Sequence, residues 1–194
     1  MINQLSKNED NPLLLALAAI TSWLKEQNIS YMVFGGIANS VYGNPRQTFD
    51  IDIKIALDSA KPIETFIEKL GIIAEIIPQQ PIQFIQDTNV LPVEVANVRI
   101  DLVFASLPFE IEAIRRSKSI MYFDIDLKVC TIEDLIIHKA ISTRQKDWID
   151  IEILIHDQRQ IIDWPYLLKN CAELSDFLDR SEIIKNIRRL KDEI

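Results

Sequence analysis

From Thr48 to Ile55 the chain alternates polar and apolar side chains without a break. A period of two fixes a β-strand, with Phe49, Ile51, Ile53 and Ile55 on one face and Asp50, Asp52 and Lys54 on the other. Two carboxylates at i and i+2 therefore project side by side. Like charges that close repel, and one is driven toward protonation unless a cation neutralises the pair. The apolar partners mark the strand as part of a core. Two readings stand at this point: a strand whose polar face meets water, or a strand that presents carboxylates to a cation.

A third carboxylate bears on that choice. Asp101 is the single acid inside Val98-Arg-Ile-Asp-Leu-Val-Phe104, a second apolar strand. Strand interiors disfavour aspartate, and buried carboxylates are rarely left unpaired. If the two strands are neighbours, Asp50, Asp52 and Asp101 converge, and three hard oxygen donors suit Mg²⁺. The alternative for Asp101 is a salt bridge to Arg99, Arg46 or Lys54. Of the four glycines, Gly43 and Gly71 fall at helix stops, while Gly35-Gly36 joins the apolar strand Ser30–Phe34 to a helix. Such a turn brings backbone N–H groups close to an anion, although a tight strand-to-helix turn favours glycine in any case.

The rest of the chain reads as α+β: a mixed sheet flanked by helices over residues 1–130, then an all-helical portion over 131–194 packed on it. Helices are expected over 12–27, 37–42, 61–70 and 108–117. Two or three strands are expected between Ile82 and Ala105, and two more near 119–123 and 126–129. Four helices follow, beginning near Ile132, Asp147, Trp164 and Ser181, the first capped by Thr131. A net charge of −8 argues against a general nucleic-acid coat, which needs a broad basic surface. Cys130 and Cys171 lie far apart without metal-binding spacing, which points to free thiols in a reducing compartment. The apolar run Leu13–Ile20 follows Glu9 and Asp10 and is too short to span a bilayer, so a cytoplasmic protein without membrane attachment is expected.

The order Gly35-Gly36, then Arg46-Gln-Thr-Phe-Asp50-Ile-Asp52, then Arg99-Ile-Asp101 resembles the polymerase-β-type nucleotidyltransferase superfamily, over most of residues 30–105. A second segment, Thr131-Ile-Glu-Asp-Leu-Ile-Ile-His-Lys139 with Arg144-Gln-Lys146-Asp147-Trp-Ile-Asp150, is similar to the nucleotidyltransferase toxins of abortive-infection and toxin–antitoxin systems. The resemblance implies transfer of an NMP from an NTP to a hydroxyl, with two Mg²⁺ (or Mn²⁺) ions held by Asp50, Asp52 and Asp101. It implies that Gly35, Gly36 and Lys139 bind the nucleotide and that Lys146, Asp147 and Asp150 line or brace the same cleft. Arg46 either meets a phosphate or pairs with Asp50. The acceptor implied is an RNA such as tRNA, with an antitoxin protein as partner. Gly36 departs from the serine many members carry, and the Gly–Gly form occurs among antibiotic-modifying relatives, which implies a small hydroxyl compound instead. A third reading is a nucleotide- or partner-binding domain without turnover, against which three converging acids speak.

Other residues carry blander expectations. His138 and His156 are single and helical, and are read as structural. The basic clusters Arg115-Arg116-Ser-Lys118 and Arg188-Arg189-Leu-Lys191 are read as solvated helix ends. Trp23, Trp148 and Trp164 are read as core residues rather than base-stacking platforms.

Overall fold

The computed structural model describes residues 11–45, 47–58 and 62–193. The chain opens with helix α1 (Pro12–Glu26), in which Asn11 accepts from the Leu13 amide at 3.0 Å and Pro12 occupies the first turn. Strand β1 (Ser30–Phe34) leads directly into the short helix α2 (Gly35–Val41), and β2 (Asp50–Ala56) follows the turn. Next come α3 (Ile63–Leu70), β3 (Glu75–Ile76), α4 (Pro81–Thr88), β4 (Val90–Val95), β5 (Val98–Phe104) and α5 (Pro108–Arg116). The hairpin β6 (Lys118–Tyr122) and β7 (Ile125–Val129) precedes four helices: α6 (Ile132–Ala140), α7 (Gln145–Gln158), α8 (Trp164–Phe177) and α9 (Glu182–Asp192).

The strands form one mixed seven-stranded sheet in the order β3-β4-β5-β2-β1-β7-β6. Strands β2 and β5 are parallel and in register, Ile51 opposite Ile100 and Ile53 opposite Leu102. Strand β4 continues the row antiparallel, with Val93 opposite Ile100 and Leu91 opposite Leu102. All of these side chains are fully buried, so one face of the sheet is the core. Helix α1 packs against β1, β2, β4 and β5. The opposite face carries the alternate residues Asp50, Asp52, Lys54, Arg99, Asp101, Pro92 and Glu94.

Helix α5 packs on β1 and β2, its Glu110 paired with Lys54 of that second face, and the last four helices pack on one another and, through α6, on α2. The Tyr42 hydroxyl donates to the Cys130 carbonyl at 2.8 Å, Asn44 to Asp150 at 3.2 Å, and Gln158 to the Tyr42 carbonyl at 3.0 Å. Arg116 reaches Glu133 and Asp134 and stacks 3.7 Å over the Tyr166 ring, while the Tyr166 hydroxyl donates to Asp134 at 2.8 Å. Thr131 caps α6 by accepting from the Asp134 amide, as its position predicts.

Two strands, β4 and β5, lie between Ile82 and Ala105 as expected, and residues 81–88 before them form a helix the sequence did not suggest: Pro81 starts it and Asn89, at φ +55°, ends it in the left-handed region. No residue of this helix is buried, so its apolar spacing had no core to report. Phe49 lies just before β2 and is 76% exposed rather than turned into the core. Among the described residues no helix is long and apolar enough to cross a membrane.

Candidate active site

The sheet register brings Asp52 and Asp101 together. They are direct partners across β2 and β5, and Asp50 is paired with Arg99 one step earlier. Both pairs point to the face away from the apolar core. On the other side of β2, Phe34 is the partner of Asp52, so the chain leaves β1 and enters Gly35-Gly36 directly over that carboxylate.

The two glycines answer to this closeness. Gly35 adopts φ +63°, and a Cβ there would lie 1.9 Å from Asp52 Oδ2. A Cβ on Gly36 would lie 2.5 Å from Thr48 Oγ1. The turn is folded onto Asp52 and Thr48, and the Gly36 amide hydrogen-bonds to the Asp52 carboxylate. Thr48 in turn donates to Asp50 Oδ1 at 3.0 Å.

Electrostatics single out Asp52. Burial, then the charges of Asp50 and Asp101, push its carboxyl up to about 6, while the Gly36 amide and the more distant Arg144 pull it down. Among the described residues, the negative charges acting on Asp52 outweigh the positive ones. Arg99 pairs with Asp101, its Nε donating to Oδ1 at 2.9 Å. Among the described residues no three His, Cys, Asp or Glu side chains stand ready-gathered around a metal position. The donor set nonetheless suits a hard divalent cation: carboxylate oxygens on adjacent strands, one of them destabilised by its own neighbours.

Lys139, on α6, is buried between two acids of α7, 3.3 Å from Asp147 and 2.6 Å from Asp150. To meet a triphosphate it would have to leave both. Asp147 also accepts from Arg144 at 2.6 Å, and burial of its carboxyl is outweighed by Ser142, Arg144 and Lys139, which hold it below the usual range. Lys146 is exposed beside them. Arg144 has a side chain 63% exposed and acts electrostatically on Asp52. Sequence spacing assigns Arg144 no role, because spacing alone does not distinguish an exposed guanidinium from a buried ammonium. Arg46 lies outside the described residues.

Behind the site, Lys54 is buried in an ion pair with Glu110 of α5. His138 lies between the rings of Phe34 and Phe109, with centroids 5.3 and 5.6 Å away. Its Nδ1 is 2.7 Å from the Asp134 carbonyl, and its Nε2 is buried with no hydrogen-bond partner. It is structural in position, though only half satisfied. His156 is an exposed residue near Asp157. Trp23 is core, with Trp148 and Trp164 packed at its margin.

No family model and no curated protein sequence matches the chain. Solved structures do. The solution structure of the antibiotic-resistance factor ANT(2'')-Ia is 14% identical with a TM-score of 0.54, over 93% of this chain and 96% of that one. An antigenic nucleotidyltransferase-like protein from Paracoccidioides brasiliensis is 16% identical with a TM-score of 0.52, over 90% and 92%. The lincosamide antibiotic adenylyltransferase LnuA, in its lincomycin-bound form, aligns over 72% of this chain and 94% of its own at 16% identity and a TM-score of 0.48. The first two likenesses establish a nucleotidyltransferase fold for this chain.

Proposed function

We propose that the protein is a metal-dependent nucleotidyltransferase, moving an NMP from an NTP to an acceptor hydroxyl. The observation that carries this reading is the row formed by Asp52 and Asp101 on paired parallel strands, with the Gly35-Gly36 turn closed over Asp52. Asp50, Asp52 and Asp101 would hold Mg²⁺, or Mn²⁺ in its place. When bound, the ions supply charge neutralisation for the triphosphate and a lowered pKa for the attacking hydroxyl.

The remaining work falls to the chain itself. The Gly35-Gly36 turn, bare of side chains, lets the phosphates approach Asp52 closely, and the exposed Arg144 guanidinium meets their charge. Lys139 holds Asp147 and Asp150, and through Asp147 it steadies Arg144. The acceptor oxygen attacks the α-phosphorus, forming the new P–O bond. The bond from that phosphorus to the β-phosphate oxygen breaks, and pyrophosphate leaves with the electron pair. Asp101 would hold the ion that activates the hydroxyl, whose proton then passes to solvent, or alternatively would take that proton itself as general base. Positioning supplies most of the rate in such transfers.

The likeness of the Lys139–Asp150 segment to toxin enzymes puts tRNA, a toxin role and an antitoxin partner among the acceptors and partners to be tested. Incubation with each α-labelled NTP, Mg²⁺ and either total tRNA or small hydroxyl compounds tests the reading, beside a folded Asp50→Ala/Asp52→Ala control. Label transfer that needs both acids is expected. Its absence for every NTP and acceptor leaves a binding domain. Broadening of Mn²⁺ magnetic resonance by wild type, and not by the double variant, checks the metal ligands independently of turnover.

A further inference from the structure

The sheet ends at β6, paired on one side only, with β7. Their register runs from Lys118–Val129 to Tyr122–Ile125 and closes through the two-residue turn Phe123-Asp124. Both turn residues take positive φ, +46° and +63°, the form of tight turn flanked by a hydrogen-bonded pair. Tyr122, Ile120 and Lys118 thus direct their backbone groups to β7. The far side of β7 agrees: the Cys130 amide donates to the Val33 carbonyl at 3.0 Å, so the even-numbered residues there face β1 and the odd-numbered ones face β6. Ser119 and Met121 are left with N–H and C=O turned outward. Among the described residues no strand lies beside them. The edge is also poorly defended: it has no proline or bulge, and Lys118 is its one charge. Met121 and Phe123 are 67% and 56% exposed, and Phe123 is presented from a backbone conformation that bulky residues avoid.

The strand is complementary to itself. Two copies laid antiparallel about an axis through Ile120 bring Ser119 opposite Met121 of the second copy, and all four outward groups of each copy are bonded. A shift of one residue sets outward groups against inward ones. A shift of two calls on Phe123, inside the turn, or on Ser117, whose amide already donates to the Ile114 carbonyl at 3.3 Å. In the favoured register Lys118 faces Tyr122 of the second copy, an ammonium beside an aromatic ring rather than a second lysine. Ile120 faces its own counterpart and prolongs the apolar row of its partner Leu127, which is fully buried. No charge opposes a like charge. The pairing closes on itself, because each copy uses the same edge.

We propose that β6 pairs with β6 of a second copy of this chain, joining two seven-stranded sheets across a twofold axis. The inference does not rest on the nucleotidyl-transfer reading, since β2 lies three strands from β6, roughly 14 Å away. Sedimentation equilibrium at micromolar concentration tests it on wild type and Met121→Pro. That substitution removes an outward N–H which the ladder to β7 does not use, and edge strands tolerate it. Wild type should sediment at twice the mass of the chain, and Met121→Pro should weaken the dimer at least about tenfold with an unchanged far-UV spectrum. Mild oxidation provides a second test. Ile120→Cys should cross-link, because directly opposed residues of this kind have Cα atoms about 4.5 Å apart. Ser119→Cys should not, its counterpart standing diagonally about 7–8 Å away. Cys130 and Cys171 are buried and take no part. A monomeric wild type overturns the proposal, and hydrogen exchange that finds its Ser119 and Met121 amides protected would assign the edge to another part of the same chain. A dimer that withstands Met121→Pro, or that cross-links through Ser119→Cys and not through Ile120→Cys, overturns it as well.

Discussion

Asp52 and Asp101 face each other as direct partners on parallel strands, and after burial and the Asp50 charge the Asp101 charge helps to hold the Asp52 carboxyl above its usual range. A chain that keeps such a pair buys readiness for a cation with stability in its absence. Asp52→Asn should therefore raise the stability of the metal-free protein by about 1 kcal/mol, or roughly 2–4 °C in melting temperature for a domain of this size. The same variant should lower label transfer by at least about a hundredfold. Melts in EDTA decide the first point. A lower melting temperature would mean that the Gly36 amide outweighs the repulsion.

Gly35 and Gly43 both sit at positive φ, +63° and +90°, yet their surroundings differ. A Cβ at Gly43 has only Gln158 Nε2 nearby, at 3.7 Å, so Gly43→Ala should cost about 1 kcal/mol of backbone strain. Gly35→Ala adds a collision with Asp52 and should cost about 3 kcal/mol or more. It should also abolish any Mg²⁺-dependent rise in melting temperature, because Asp52 must move aside. Equal costs in urea denaturation would deny the contact.

Lys139 and Arg144 carry the same charge to opposite ends. Lys139→Met leaves Asp147 and Asp150 buried and short of their cation, at a cost of about 3–5 kcal/mol. Arg144→Ala removes a largely exposed partner and should cost no more than about 1 kcal/mol. If Arg144 meets the phosphates, its loss should raise KM for the NTP about tenfold in a protein that still folds. An unchanged KM would return the phosphate role to Lys139.

His138 lies between Phe34 and Phe109 and near Lys54 and Glu110, and burial, then the Lys54 charge, lower its pKa to about 3. An unfolded histidine titrates near 6.5, so between those values the unfolded chain binds more protons than the folded one. Stability should rise with pH up to about 6.5 and fall below it, this group adding a slope approaching about 1.4 kcal/mol per unit. His138→Phe should flatten that part of the curve relative to wild type. Parallel curves from pH 4 to 7 would show that the imidazole finds a partner when protonated.

The site was legible where its residues carry their own pattern. Alternation around Asp50 and Asp52, and a lone acid inside Val98–Phe104, required only the period of a strand. Adjacency of those strands was a conditional, which the register of β2 and β5 supplies. What the pattern could not convey is who stands near whom across the fold. Lys139 reads as a free cation on a helix until Asp147 and Asp150 are seen around it. Gly35 reads as a phosphate turn, and its nearest demand proves to be Asp52. The helix Pro81–Thr88 was hidden because nothing on it is buried.

The hydrogen bonds from Asn44 to Asp150 and from Gln158 to the Tyr42 carbonyl tie the segment between the glycine turn and the acidic strand to α7. The helical portion is therefore no detachable module. A chain cut after Cys130 would retain every carboxylate of the site and lose the anchor of the loop that delivers two of them. Grafting another helical tail onto this sheet would require rebuilding Asn44 and its neighbours along with it.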